Sequence, residues 1–169
     1  NLCNYIHLPV QSGSNRILEL MNRTYTIEHY LNLIEKAKKI IPGVSFSTDI
    51  ISGFPTETWE DHSATLEVMK QVRYDGAYMF KYSPREGTKA FKMNDDVPEN
   101  VKSKRLQEII DVQQQISFEK NQELISKEEI ILVEGFSKKS NDFIAGRTDT
   151  NKVVIVPIND KIKNSDYIK

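Results

Sequence analysis

The sequence contains a single cysteine, Cys3, among 169 residues. One thiol cannot form an intrachain disulfide, and it cannot build a metal site that needs several cysteines of the same chain. A disulfide framework is therefore excluded as the source of the fold's stability, and a cytoplasmic protein is the simplest interpretation.

Long hydrophobic runs are also missing, and no apolar stretch approaches the length that crosses a bilayer, so no membrane partner is expected. Excess charge of one sign is absent too, since 23 basic and 24 acidic side chains leave a formal net charge of −1. That balance argues against a uniformly basic nucleic-acid binder but leaves room for a local basic face. The remaining composition, with 38% hydrophobic and 28% charged residues, is that of an ordinary globular protein.

The segment from Val44 to Ile51 is mostly apolar and β-branched, which is typical of a strand buried on both faces. Gly53 and Pro55 then end the strand, and a helix begins at Thr56 or Thr58. A strand, a turn and a helix N-terminus in succession form the edge of an α/β unit at which such folds bind ligands. The pattern predicts a site at this turn without indicating its ligand.

Two further strands are predicted, at Tyr5–Pro9 and Ala77–Tyr82, and helices separate the three strands. Repeated strand–helix units with short connections indicate a parallel sheet or part of a β/α barrel. Right-handed crossovers then bring the polar turns after the three strands to one side of the sheet. These turns contain Gln11, Ser52 and Ser83.

The predicted helices start at good N-cap residues, namely Ser14, Thr26 and Thr58. Thr58 and Asp61 also have the spacing of a capping box. Trp59 is expected on the inner face of its helix. His7, His29 and His62 have no metal-ligand spacing and are assigned no role, and His29 and His62 are expected to face solvent.

A long helix is predicted from Pro98 to about Ser126, because proline is tolerated in the first turn and one apolar stripe follows. Three short strands within 130–156, joined by polar turns, then favour a small antiparallel barrel or sheet. No element is predicted for 161–169. The predicted divisions are an α/β part at 1–97, a connecting helix at 98–126 and a β part at 127–169.

Five segments carry recognisable motifs: HLPVQSGS with LMNR at 7–23, STDIISGFPTET at 47–58, YSPREGTKA at 82–90, VP and RLQ within 97–107, and VEG, GRT and NKVV within 133–154. Together they resemble the radical S-adenosylmethionine methylthiotransferases over nearly the whole chain. The resemblance implies an α/β fold: the C-terminal part of a partial TIM-like radical-SAM (β/α) barrel, followed by a small antiparallel β domain of the TRAM (OB-like) type. The motif wording is most similar to the branch that modifies N6-dimethylallyladenosine in tRNA, and the threonylcarbamoyladenosine branch is the alternative.

The resemblance implies an enzyme that adds a methylthio group to C2 of the modified adenine at tRNA position 37 by radical chemistry. Its cofactors would be S-adenosylmethionine and two 4Fe–4S clusters of the intact protein. Each cluster needs three cysteine thiolates, supplied in the family by a C-x3-C-x2-C motif and a second trio. Because this chain contains neither, we expect it to be a fragment that cannot cleave S-adenosylmethionine alone, with no catalytic or metal-binding residue of its own.

The resemblance also implies half of a cofactor rim. The predicted cofactor contacts are Gln11, Ser12, Asp49, Ile50, Ser52, Gly53, Tyr82, Ser83 and Arg85. Three side chains leave alternatives open. Asp49 either pairs with a neighbour or faces the interior site, because an unpaired buried carboxylate is costly. Arg85 meets a cofactor carboxylate, an RNA phosphate or a rim carboxylate, and Glu57 either stabilises the first turn of its helix or touches a ligand.

The terminal β part is expected to bind the anticodon stem-loop of tRNA, with a solvated loop as the alternative. The predicted RNA contacts are Lys138, Lys139, Arg147 and Lys152. A free-standing RNA-binding module that never carried clusters is the second functional class. The exposed strand edge at 5–8 also predicts dimerisation of the fragment through that edge.

Overall fold

The computed structural model describes residues 3–159 and 161–169, so that Asn1, Leu2 and Asp160 of the predicted ranges lie outside the described residues. A parallel sheet consists of β1 (Tyr5–His7), β2 (Ser45–Ser52) and β3 (Gly76–Lys81) in the order β1-β2-β3. An antiparallel sheet follows, with β4 (Ile131–Ser137), β5 (Ser140–Thr148), β6 (Val153–Pro157) and β7 (Tyr167–Ile168) in the order β6-β5-β4-β7. The predicted parallel and antiparallel parts are both present.

Four α-helices lie in the described part of the chain: α1 (Asn15–Leu20), α2 (Ile27–Ile40), α3 (Trp59–Val72) and α4 (Glu99–Gln122). Ser14, Thr26 and Thr58 cap the first three with their side-chain oxygens, as predicted. The capping box of Thr58 and Asp61 is complete, since each side chain accepts a hydrogen bond from the other residue's backbone. No described helix is long and apolar enough to cross a membrane.

The core lies between the parallel sheet and the helices. Phe46 and Ile50 of β2 belong to one buried cluster with side chains of α2, α3 and α4, including Tyr30, Met69 and Ile109. Successive strand residues point to opposite faces, so the other face of the sheet is free of these helices. Tyr78 and Phe80 on that face are 59% and 53% exposed.

Three local predictions are wrong. Helix α4 ends at Gln122, before Ser126, which has the left-handed φ of 66°. Trp59 is 55% exposed at the start of α3 instead of facing inward. No element was expected within 161–169, but strand β7 lies there and pairs antiparallel with β4, with Ile168 opposite Ile131.

Strand β1 pairs with β2 alone within the described residues. Its other edge therefore offers unpaired backbone groups, the feature on which dimerisation was predicted. Dimerisation stays a prediction.

His62 is fully buried, and its predicted exposure to solvent is wrong. Helix α4 covers this face of α3, and Glu108 lies 2.7 Å from Nε2 of His62. Burial lowers the pKa of the His62 imidazole, while the contact with Glu108 opposes the shift only in part. The other ring nitrogen, Nδ1, has no hydrogen-bond partner among the described residues.

We predict that His62→Gln makes stability less sensitive to acid. Burial lowers the pKa of His62 in the folded protein, so an unfolded histidine, with a pKa of about 6.5, binds a proton more readily and stability falls as pH falls through this range. In urea unfolding the wild type should lose more stability than the variant between about pH 7 and pH 5.5, by at most roughly 1 kcal/mol. His29→Gln, at an exposed histidine of α2, is the control and should follow the wild type. Parallel losses in all three proteins would contradict the assignment.

Candidate functional site

A cleft of about 850 Å³ opens at the carboxyl ends of the parallel strands. Five predicted cofactor contacts line it: Gln11, Asp49, Tyr82, Ser83 and Arg85. The same cleft contains side chains that sequence reasoning missed, among them Arg23, Ile51, Phe54, Phe80 and Lys81. It therefore combines one carboxylate, several cations and apolar walls.

Gln11 and Asp49 meet because the chain after β1 stays paired with β2. The backbone nitrogen of Gln11 donates to the carbonyl of Asp49 at 2.8 Å, and the nitrogen of Ile51 donates to the carbonyl of Gln11 at 2.9 Å. Gln11 has a left-handed φ of 66°, which turns the chain at this point. The loop after β1 and the end of strand β2, which are distant in sequence, thus form one wall of the cleft.

The other predicted contacts do not line the cleft. Ser12, Ile50 and Ser52 are fully buried. Ser12 lies 3.4 Å from the Thr65 hydroxyl of α3, and the Ser52 hydroxyl faces the carbonyl of Lys102 in α4 at 3.5 Å. Strand alternation explains the split of β2, because Asp49 and Ile51 point to the open face and Ile50 and Ser52 to the helices.

Glu57 holds the turn that follows β2. One of its carboxylate oxygens accepts from the backbone nitrogen of Gly53 at 2.9 Å and from Nη1 of Arg105 at 2.8 Å. Arg105 also donates to the Glu57 carbonyl at 3.0 Å, and both side chains are buried. Glu57 therefore serves neither of its predicted roles, since it binds its own turn to α4.

Gly53 leaves no room for a side chain. Its φ is +72°, and a Cβ atom there would lie 2.3 Å from Cγ of Lys102. The buried Lys102 side chain is fixed at its far end, where Nζ lies 2.6 Å from the Asp95 carboxylate. The same Nζ lies 5.4 Å from the centre of the Tyr82 ring, which connects the turn to the cleft wall.

We predict that Gly53→Ala destabilises the fold by roughly 2–4 kcal/mol, because left-handed backbone strain adds to the overlap with Lys102. Gly43→Ala is the matched control, since Gly43 has a φ of +76° and a Cβ atom there would have nothing within 4 Å. The control should lose about 1 kcal/mol in urea unfolding, from strain alone. Equal losses at the two glycines would show that Lys102 moves aside freely.

The sequence left two or more possible partners open for Asp49 and for Arg85, and the structure shows a different outcome for each. Asp49 lines the cleft and also lies 3.5 Å from Nε2 of His7, so it both faces the interior site and has a neighbour. Arg85 is exposed and lines the cleft, and it forms no ion pair within 3–159 and 161–169. The rim salt bridge that was an alternative for Arg85 does not occur there.

The four predicted RNA contacts fall into two groups. Lys138 and Lys139 are exposed at the turn between β4 and β5. Arg147 binds Glu134 at 3.1 Å, and Nζ of Lys152 lies 3.5 Å from Asp75. The structure therefore leaves the first pair open to a ligand and engages the second pair within the chain.

Arg147 and Lys152 line a second cavity, of about 400 Å³, between the two sheets. Tyr5, Ser47 and Tyr78 form its other side. Beside it, the hydroxyl of Ser45, the first residue of β2, donates to the carbonyl of Thr150 at 2.8 Å. The cavity therefore lies toward the amino ends of the parallel strands, at the opposite end from the cleft.

The sequence and the fold are similar to those of radical S-adenosylmethionine proteins. Residues 1–69 match the family model described as the radical SAM superfamily. A solved structure of coproporphyrinogen III oxidase from Escherichia coli, described as a radical SAM enzyme, superposes on 92% of this chain and 46% of its own with a TM-score of 0.57. Its sequence identity is 17%, so it supports the fold alone.

Sequence relatives are more specific. The chain is 54% identical over 93% of its length to a tRNA-2-methylthio-N(6)-dimethylallyladenosine synthase of Azobacteroides pseudotrichonymphae. Proteins of that name from Bacteroides thetaiotaomicron and Christiangramia forsetii are 54% and 49% identical over 92% and 100% of the chain. The resemblance to the radical SAM methylthiotransferases, which the sequence motifs indicated, is thereby confirmed. The chain spans about a third of the length of these curated relatives, at 34–35%.

Iron–sulfur clusters are expected for this family, but the residues present do not fit one. The single cysteine, Cys3, cannot supply three thiolates. Within the described ranges, no group of three or more His, Cys, Asp or Glu residues is arranged to hold a metal ion.

Proposed function

We propose that the chain is part of a tRNA methylthiotransferase that modifies C2 of N6-dimethylallyladenosine at position 37. The observation that carries the proposal is the cleft at the carboxyl ends of β1–β3, in a fold similar to that of a radical SAM enzyme. The sequence of the chain is also about half identical to those of the named synthases. The accompanying domain assignment is a barrel part at 1–97, a connecting helix at 98–126 and a TRAM-type domain at 127–169. A threonylcarbamoyladenosine substrate is the alternative within the family.

In this proposal the cleft binds S-adenosylmethionine, which supplies the radical and methyl chemistry when bound. Asp49 accepts hydrogen bonds from ribose hydroxyls, because a carboxylate is an acceptor alone, and Gln11 adds an amide beside it. Arg85 binds the methionine carboxylate, the geometry that guanidinium groups favour. Ile51 and Phe80 offer apolar surface to the adenine.

The remaining predicted contacts have supporting roles. Ser12 and Ser52 fix the strand ends through α3 and α4, as their hydrogen bonds indicate. Ile50 fills the core below Asp49, and Gly53 allows the turn to pass over Lys102. Tyr82 and Ser83 line the cleft wall formed after β3. The cluster cysteines would come from outside this chain, so no step through a cluster is assigned to its residues.

The antiparallel sheet is proposed to bind the anticodon stem-loop. Lys138 and Lys139 supply cations for phosphates at the β4–β5 turn, and Phe136 is 65% exposed near them for base stacking. A non-catalytic RNA-binding module is the second candidate function, and the single cysteine is the observation that favours it.

A binding and cleavage experiment separates the two candidates. We predict that the chain binds S-adenosylmethionine in calorimetry and that Arg85→Ala weakens this binding about three- to tenfold, by loss of a charged hydrogen bond. Lys36→Ala, at an exposed lysine of α2, is the control and should not change it. With iron, sulfide and reductant, the chain should release no 5′-deoxyadenosine, and release would refute the account of the missing clusters. Binding of RNA by a chain that fails to bind S-adenosylmethionine would favour the non-catalytic module.

A salt titration tests the proposed RNA surface. Replacing Lys138 and Lys139 together by alanine should weaken binding of an anticodon stem-loop and reduce the slope of log affinity against log salt by about 1.4, since two phosphate contacts are lost. The double variant of Lys36 and Lys39 to alanine, which removes two exposed charges from α2, is the matched control. Fluorescence anisotropy measures both. Identical slopes in the two double variants would remove the β4–β5 turn from the interface.

A further inference from the structure

A row of four polar side chains crosses the open face of the parallel sheet. The hydroxyls of Tyr5 and Ser47 are hydrogen-bonded, and the Ser47 oxygen lies 2.7 Å from Nδ1 of His7. Nε2 of His7 then faces Oδ1 of Asp49 at 3.5 Å. Sequence reasoning assigned His7 no role, because its spacing suits no metal site.

Strand register explains why these side chains meet. His7 lies opposite Ser47 in the β1–β2 pair, and Tyr5 precedes His7 by two residues. Asp49 follows Ser47 by two residues, so the four side chains share one face of the sheet. Tyr78 of β3 packs its ring edge-on against His7, with 5.9 Å between the ring centres. The Ser47 hydroxyl and the Tyr78 ring both contact the imidazole of His7 and thus restrict its orientation.

The Asp49 carboxylate at one end of the row determines which atom donates and which accepts in each contact. A carboxylate oxygen accepts, so the His7 tautomer that suits Asp49 carries its hydrogen on Nε2, which lies 3.5 Å from Oδ1. Nδ1 then accepts from the Ser47 hydroxyl, and the Ser47 oxygen accepts from the Tyr5 hydroxyl. This arrangement uses each hydroxyl once and requires one tautomer of His7.

Within the described residues, Nε2 of His7 is the one Lys, Arg or His nitrogen that lies within 4 Å of the Asp49 carboxylate. Asp49 is at the same time the one predicted cofactor contact that brings a carboxylate to the cleft. We propose that His7 is a positioning residue, which orients the Asp49 carboxylate toward the hydroxyl groups of an adenosyl ligand. This inference rests on the proposed function of the cleft.

The probe is 5′-methylthioadenosine, which has the ribose hydroxyls and no methionine carboxylate. We expect His7→Leu to weaken its binding about three- to tenfold in an NMR titration at about pH 7.5, the size of effect that one polar contact has. His7→Gln should restore most of the affinity, because its amide can donate to Asp49. His29→Leu is the matched control on an exposed helix.

Nitrogen-15 NMR gives a second readout that does not depend on the ligand. The His7 ring should show the tautomer with hydrogen on Nε2 in the wild type and lose that preference in Ser47→Ala. Binding by the wild type with no effect of His7→Leu, or a mixed tautomer in the wild type, overturns the inference alone. Failure of the wild type to bind the probe overturns the proposed function of the cleft, and the ligand role of His7 with it.

Discussion

The buried ion pair of Glu57 and Arg105 fixes the geometry on which the cleft depends. It joins the turn after β2 to α4, and its Glu57 carboxylate also satisfies the Gly53 nitrogen. Two charges that are nearly fully buried are stable there because each has a partner, and removal of one partner from such a pair generally costs about 3–5 kcal/mol. The turn carries Phe54 into the cleft wall, so the shape of the cleft follows from an interaction outside it.

Local patterns in the sequence are sufficient to predict the helices and most of the strands, but not which of their side chains are buried. Ser14, Thr26 and Thr58 could be predicted as caps because a cap is a contact over a few residues. The burial of His62 depends on Glu108, 46 residues away, and no local pattern carries that information. Strand β7 was missed for a related reason, since two residues pair with β4 across a long connection.

The loops predicted for the candidate site do line the cleft, and five of the nine predicted cofactor contacts lie there. The polar residues after the three strands do converge, as parallel connections require. The prediction treats the run from Asp49 to Gly53 as one surface, whereas strand alternation divides it between cleft and core. The sequence does not indicate Arg23 as a site residue, because it follows helix α1 and not a strand. The position of α1 in the fold is what brings Arg23 to the cleft.

Asp75 connects the two sheets at the end far from the cleft, where its carboxylate accepts from the Phe46 nitrogen and lies beside Lys120 and Lys152. On β2, Ser47 lines the cavity and Asp49 lines the cleft, so roughly 7 Å of strand separates the two. A molecule that lies along the open face of the sheet and exceeds this spacing therefore contacts both.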